Sequence, residues 1–312
     1  MLHRKIQVAV VTGPTGAIGT ALCADLAAQG IRVIAVCRPG SARANKVPNS
    51  PLIRTVFCEL GELGHLPELI GEKADAFFHF AWAHTIGPGR NDMTPQIQNI
   101  QYTIDAVRSA HQLGCRVFIG AGSQAEYGRV EGVLTAQTPC NPENGYGIAK
   151  LCAGHMSRIE AQSLGMDHIW ARILSVYGPG DGALTMITGT IRQLLNGEEP
   201  ALTAGIQAWD YLYSGDAAAA FRLMAQHGVN GKTYVLGGGK AQPLRVYVEQ
   251  LRDAIDPALP LGFGKVPYGP LQVMHLEADI SELQADVGFV PQISFREGIC
   301  ATIAYQKENQ AK

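Results

Sequence analysis

Apolar residues in this chain gather into short runs separated by longer stretches of mixed polarity. The runs at residues 6–12, 32–37, 53–58, 74–80 and 116–120 are rich in β-branched or aromatic residues and read as strands. Most of the intervals between them are long enough for helices, and residues 94–113 and 146–164 carry helical patterns. Alternation of this kind specifies parallel strands with helical crossovers, because a parallel connection must travel back over the sheet. The first half is therefore expected to be a doubly wound α/β domain. Beyond about residue 175 the rhythm changes to helices near 186–196 and 214–226, a polar loop at 197–200, a glycine run at 237–239 that ends a strand, and a Pro-rich stretch at 256–270. This divides the chain into residues 1–174 and a smaller α/β region, 175–312, interleaved with the first rather than joined to it by a linker. There is no internal repeat and no low-complexity segment.

Composition narrows the class. With 312 residues, 46% hydrophobic and 17% charged, the chain can bury a sizeable core and is too apolar for disorder. A formal net charge of −2 excludes a strongly basic nucleic-acid binder. The apolar run near the N-terminus is β-branched and ends in a glycine turn, so it fits a buried strand better than a leader peptide. No stretch approaches the ~18 apolar residues of a membrane span, and a cytoplasmic location is the expectation. The seven cysteines are scattered without a C-x-x-C pair and read as reduced thiols, not as a disulfide framework or zinc site.

Two constellations carry chemistry. The first is Thr12-Gly13-Pro14-Thr15-Gly16-Ala17-Ile18-Gly19, directly after the first strand and opening a helix. Gly13 permits a tight turn, Gly16 lets the backbone approach a pyrophosphate at the helix N-terminus, and Gly19 allows close helix-to-strand packing. At the end of the second strand, where an acidic residue would bind the 2′-hydroxyl of NAD, stands Arg38. A guanidinium suits a 2′-phosphate, so NADP is favoured over NAD. The second constellation is Ser123 at a strand end with Tyr146 and Lys150 at i and i+4 of a helix. A nearby ammonium favours phenolate, which lets the tyrosine exchange a proton with a substrate hydroxyl while hydride moves to or from nicotinamide.

Together these residues resemble the extended short-chain dehydrogenases/reductases, the nucleotide-sugar epimerase/dehydratase group. The match extends over nearly the whole chain. Phe78-His79-Phe80-Ala81-Trp82-Ala83 is similar to the H-x-A-A stretch after the fourth strand, and Gly122-Ser123-Gln124-Ala125-Glu126-Tyr127-Gly128 to the serine segment. Residues 172–180 resemble the segment leading into the substrate site, and 278–291 the C-terminal signature. The resemblance implies a Rossmann fold that binds NAD(P) through the glycine turn, Arg38, Glu59, Leu60, Phe80, Ala81, Trp82, Asn99, Tyr146, Lys150 and Ile173. It makes Ser123, Tyr146 and Lys150 the catalytic group, and His84, Ser123, Gln124, Ser175 and Trp209 the substrate side. It also implies a homodimer formed through the helices near 94–113 and 146–164, a nucleotide-sugar-like substrate, no nucleic acid and no membrane.

Departures from the family pattern limit the reaction. Its 4,6-dehydratases carry an Asp-Glu pair directly after the strand-end hydroxyl residue, where this chain has Gln124 and Ala125; Glu126, one place on, is the remaining candidate acid. Where an arginine commonly grips the diphosphate, the chain has Trp209, so other donors such as Arg192 or Arg245 are needed. The leading expectation is an NADP-linked reductase acting on a keto group of a nucleotide-activated deoxysugar, with Tyr146 as acid/base. The alternatives are a sugar-nucleotide 4-epimerase with tightly bound NAD, a dehydratase using Glu126, and a non-catalytic cofactor-sensing protein.

Overall fold

The run Val8–Thr12 (β1) is buried at every position, as a strand covered on both faces requires. In the computed structural model, which describes residues 3–310, it is followed by α1 (Ala17–Ala28), β2 (Arg32–Cys37), β3 (Ile53–Phe57), α2 (Leu66–Ile70), β4 (Ala76–His79) and α3 (Met93–Gln112). Then come β5 (Val117–Ser123), α4 (Gly145–Ser163), β6 (Asp167–Ile173), β7 (Ser175–Tyr177), α5 (Met186–Leu195), β8 (Ala201–Leu202), β9 (Ala208–Trp209) and β10 (Tyr211–Tyr213). The chain closes with α6 (Ser214–His227), β11 (Thr233–Leu236), β12 (Gln242–Pro243), α7 (Leu244–Asp253), β13 (Gly262–Phe263), β14 (His275–Leu276), α8 (Ser281–Val287) and α9 (Phe295–Gln310).

Seven strands form one parallel sheet in the order β11-β6-β5-β4-β1-β2-β3. One face buries Leu22 and Leu26 of α1 against Phe221 and Met224 of α6. The other buries Leu66 and Ile70 of α2, Val107 of α3 and Ala161 of α4. The seventh strand, β11, comes from beyond residue 175 and pairs with β6, so the C-terminal part contributes to the central sheet. Its short strands otherwise form small two- and three-stranded sheets beside the carboxyl edge. Arg108 of α3 and Glu160 of α4 form an ion pair of 2.6 Å between the two helices. Among the described residues, no helix is long and apolar enough to cross a membrane.

The fifth strand continues past the apolar run at 116–120, through Gly122 to the strand-end Ser123. The reason is Trp170 on the neighbouring strand: a Cβ on Gly120 would lie 2.2 Å from its indole ring, and one on Gly122 2.4 Å from its nitrogen. These glycines therefore clear space for a side chain instead of ending the strand. The strand β6 itself was hidden by its polar residues. His168 and Arg172 interrupt its apolar pattern, yet both are buried, with Ser157 paired to His168 Nε2 and Glu126 to the Arg172 guanidinium.

Candidate active site and dinucleotide cleft

Neighbouring strand order reverses between β4 and β1, and ligands of doubly wound sheets bind where that happens. The two strand ends are tied together by a 2.9 Å contact between Thr12 Oγ1 and His79 Nδ1. The Ala81 amide donates to the same hydroxyl at 3.3 Å. Gly13 has φ +69°, and a Cβ there would lie 2.8 Å from the Ala81 nitrogen, so only glycine fits the turn. A Cβ on Gly19 would lie 2.2 Å from the Gly13 carbonyl oxygen, which fixes glycine at that position too. Burial, with the Lys150 charge adding to it, holds the His79 imidazole down to about 3, so it is neutral.

Above this turn lies a cleft of about 690 Å³. Gly13, Thr15, Gly16 and Ala17 line its floor, Arg38 and Glu59 with Leu60 one end, and Phe80, Ala81, Trp82 and His84 the other. The first turn of α1 holds no acidic residue, and its N-cap Gly16 makes no side-chain cap, so its leading amides are open to an anion. Exposed Arg38 and Arg43 add positive charge beside them, with Arg43 donating to the Thr15 carbonyl at 2.7 Å. These residues fit a dinucleotide. A segment of the C-terminal part, Gly180 to Gly182 with Thr185, also lines the cleft. Burial raises the Asp181 carboxyl above its ordinary value, partly offset by Thr185, Gly182, Arg43 and Lys46. His84 holds the only positive φ (58°) of any non-glycine among the described residues, and its ring packs on Gly89. Two other expected cofactor residues are structural supports in this fold: Asn99 brackets Ala83 through bonds of 3.0 Å to its amide and carbonyl, and Ile18 packs on the core.

Three elements converge beside the cleft. Ser123 ends β5 and caps the next turn by accepting the Ala125 amide at 3.2 Å. Its hydroxyl faces the Tyr146 phenol and favours the ionised form of that group. Tyr146 opens α4, one turn before Lys150. Burial raises the Tyr146 phenol above its ordinary value; the Ser123 hydroxyl and the Arg90 charge oppose this, while Glu126 adds to it. The buried Lys150 ammonium donates to the Ala121 carbonyl at 2.7 Å and lies 3.7 Å over the Trp82 ring. Burial lowers it to about 7, with Glu126 acting the other way. Ile173 ends β6 directly opposite Ser123.

One expectation changes here. Glu126, considered as an acid, is fully buried and occupied: it accepts the Ser123 amide (2.8 Å), the Trp170 indole (3.0 Å) and the Arg172 guanidinium (2.8 Å). Turning by one residue along the segment aims it into the core, behind Ser123. The Trp209 indole nitrogen donates to Ser175 Oγ at 2.8 Å, so these two substrate-side residues hold each other. Arg245 lies 3.9 Å over the Phe263 ring and donates to the Ala204 carbonyl, and Arg192 is exposed on α5. Gln124 is half-buried beside Ser123. Sequence reasoning missed Arg90, whose guanidinium lies 4.4 Å over the Tyr146 ring. Nothing in the Gly87-Pro88-Gly89-Arg90 segment marks it, because the contact joins two distant elements.

Comparison with known proteins agrees with this geometry. Residues 9–237 match the model of the NAD dependent epimerase/dehydratase family. An uncharacterised UDP-glucose epimerase, YtcB, of Bacillus subtilis is 26% identical over 316 residues, covering 95% of this chain and 96% of its own. A dTDP-glucose 4,6-dehydratase of Streptomyces niveus is 24% identical over 243 residues, 76% of this chain and 71% of its own. Among solved structures, a Streptomyces venezuelae dTDP-glucose 4,6-dehydratase with NAD and TYD bound superposes with a TM-score of 0.85 at 22% identity, covering 97% of this chain and 98% of that one. A Bacillus cereus UDP-glucuronic acid 4-epimerase in complex with NAD gives 0.83 at 20%, covering 97% and 99%.

Proposed function

Because the chain belongs to the NAD-dependent epimerase/dehydratase family, we propose that it reduces a keto group of a nucleotide-activated sugar, using NADPH. The observation that carries this reading is the convergence of Ser123, Tyr146 and Lys150 at the carboxyl edge, beside a cleft that fits a dinucleotide. A bound nicotinamide supplies the hydride. The Tyr146 hydroxyl donates its proton to the substrate oxygen, and the Ser123 hydroxyl donates a hydrogen bond to that same oxygen. Lys150, held against Ala121, restrains the Tyr146 side of the helix. Relatives named as dehydratases and epimerases support a nucleotide-sugar substrate. Arg38 and Arg43 at the adenosine end support the 2′-phosphate form of the cofactor, although NAD accompanies both solved neighbours.

Dehydration is disfavoured, since Gln124 and Ala125 carry no acid/base chemistry and Glu126 is committed to Arg172. One observation favours a 4-epimerase as the second reading. The Gly180–Thr185 side of the cleft would cover a dinucleotide, as retention through many turnovers requires. The two differ in cofactor stoichiometry. A reductase consumes one NADPH per sugar reduced, whereas an epimerase copurifies with nicotinamide and needs none added. On the same reading, Ile97 of α3 with Ile148 and Ile159 of α4, each more than half exposed, would meet a second copy of the chain. A monomeric mass by light scattering would reject that pairing.

A further inference from the structure

Arg90 belongs to a short helical turn, Gly87–Asn91, between β4 and α3. The turn is fixed from two sides. Gln96 Nε2 donates to the carbonyl oxygens of His84 and Gly89, at 3.0 and 3.1 Å. Asn91 Oδ1 accepts the amide of Gly145, the first residue of α4, at 2.9 Å. The Arg90 side chain, carried on this anchored turn, lies with its guanidinium carbon 4.4 Å from the centroid of the Tyr146 ring. It forms no ion pair or hydrogen bond with any described residue, and it does not line the dinucleotide cleft.

Lys150, to which the family resemblance assigns the task of tuning the tyrosine, is badly placed to do it alone. Its nitrogen is 5.8 Å from the Tyr146 ring centroid and only 3.7 Å from that of Trp82. Burial brings this ammonium down to about 7, so near neutral pH its charge is only partly present. An arginine keeps its charge throughout the working range. The charged groups that face Tyr146 are Arg90 from the 87–91 turn, Lys150 from its own helix and Glu126 from the turn after β5, with the neutral Ser123 hydroxyl beside them. Glu126 is already neutralised by Arg172.

We propose that Arg90 is a positioning residue of this site, whose permanent charge over the face of the Tyr146 ring stabilises the phenolate and so makes the hydroxyl a better proton donor. The proposal rests on Tyr146 being the acid/base. The ring's negative face attracts the guanidinium in both protonation states, and the attraction strengthens once the proton has left. The proton itself passes between Tyr146 and the substrate oxygen; Arg90 neither gives nor takes one.

The test compares Arg90→Gln and Arg90→Lys with the unaltered protein. Because the Arg90 side chain makes no bond that supports the fold, both variants should keep the thermal midpoint and nicotinamide affinity. The Tyr146 ring is titrated by NMR in protein carrying ring-labelled tyrosine without added cofactor, its resonance identified by its loss in Tyr146→Phe. Arg90→Gln should move the titration to higher pH by about one pH unit or more, and Arg90→Lys should restore most of it. In turnover, the acid limb of the oxidation and the alkaline limb of the reduction should both move to higher pH, because the same phenol is the base in one direction and the acid in the other. Unchanged titration and limbs in Arg90→Gln, or an equal displacement in the Gln and Lys variants, would overturn the proposal. Normal turnover in Tyr146→Phe would instead overturn the acid/base reading, a result distinct from either of these.

Discussion

Replacing Glu126 by glutamine distinguishes a structural carboxylate from a catalytic one. The wild-type carboxylate is wholly enclosed and faces three donors: the Ser123 amide, the Trp170 indole and the Arg172 guanidinium. Arg172 is itself nearly buried. Burial opposes its charge, and Glu126 with Tyr127 outweighs that, so its affinity for the proton is raised. An amide can keep the Oε1 bonds to Ser123 and Trp170, but its NH2 group would then confront the Arg172 Nε–H, donor against donor. The guanidinium would be left buried without a counter-charge, at a cost of about 3–5 kcal/mol. For a chain of this size that corresponds to a fall in Tm of roughly 6–10 °C. Urea unfolding followed by circular dichroism measures the cost, and a cycle through Arg172→Met isolates the pair. The double variant should lose less than the sum of the two single losses. Strictly additive losses, or a Glu126→Gln protein of full stability, would refute the reasoning; full stability with abolished turnover would reinstate Glu126 as an acid.

Three other outcomes follow from the same structure. Tyr146→Phe should lower turnover by about 10²–10⁴-fold while leaving the dissociation constant of the nicotinamide dinucleotide unchanged in a fluorescence titration. Arg38→Asp should raise the Michaelis constant for NADPH more than that for NADH, and an equal effect on both would remove Arg38 from the 2′-phosphate. His79 and His168 are each held by burial to about 3, below the ordinary 6.5. The unfolded chain therefore binds more protons than the folded one between those values. Stability contributed by the neutral imidazoles is full above about pH 6.5 and is lost as pH falls, by up to about 1.4 kcal/mol per pH unit for each. Urea midpoints at pH 7 and 5 should diverge less in a His79→Gln/His168→Gln protein; the same divergence as in the wild type would contradict this account.

What could be read from sequence depended on whether the physics was local. The strand Val8–Thr12 announces itself because a parallel strand covered on both faces is apolar throughout, and the next strand, Arg32–Cys37, differs only at its exposed first residue. The Asp167–Ile173 strand does not, since its polar side chains find partners on a helix and on the segment after Ser123. The same distinction separates the legible part of the site from the rest. The Gly13–Gly19 turn and the Tyr146/Lys150 spacing are features of single elements, so a sequence pattern can carry them. Glu126 belongs to a segment that looks catalytic, yet one residue of displacement turns it from the cleft to the core. Arg90 lies 56 positions before Tyr146 and is brought over its ring by Gln96, Asn91 and the start of α4. Its charge is thus supplied across the fold, and the acidity of the tyrosine becomes a property of the assembled loop and helix rather than of the motif that reveals it.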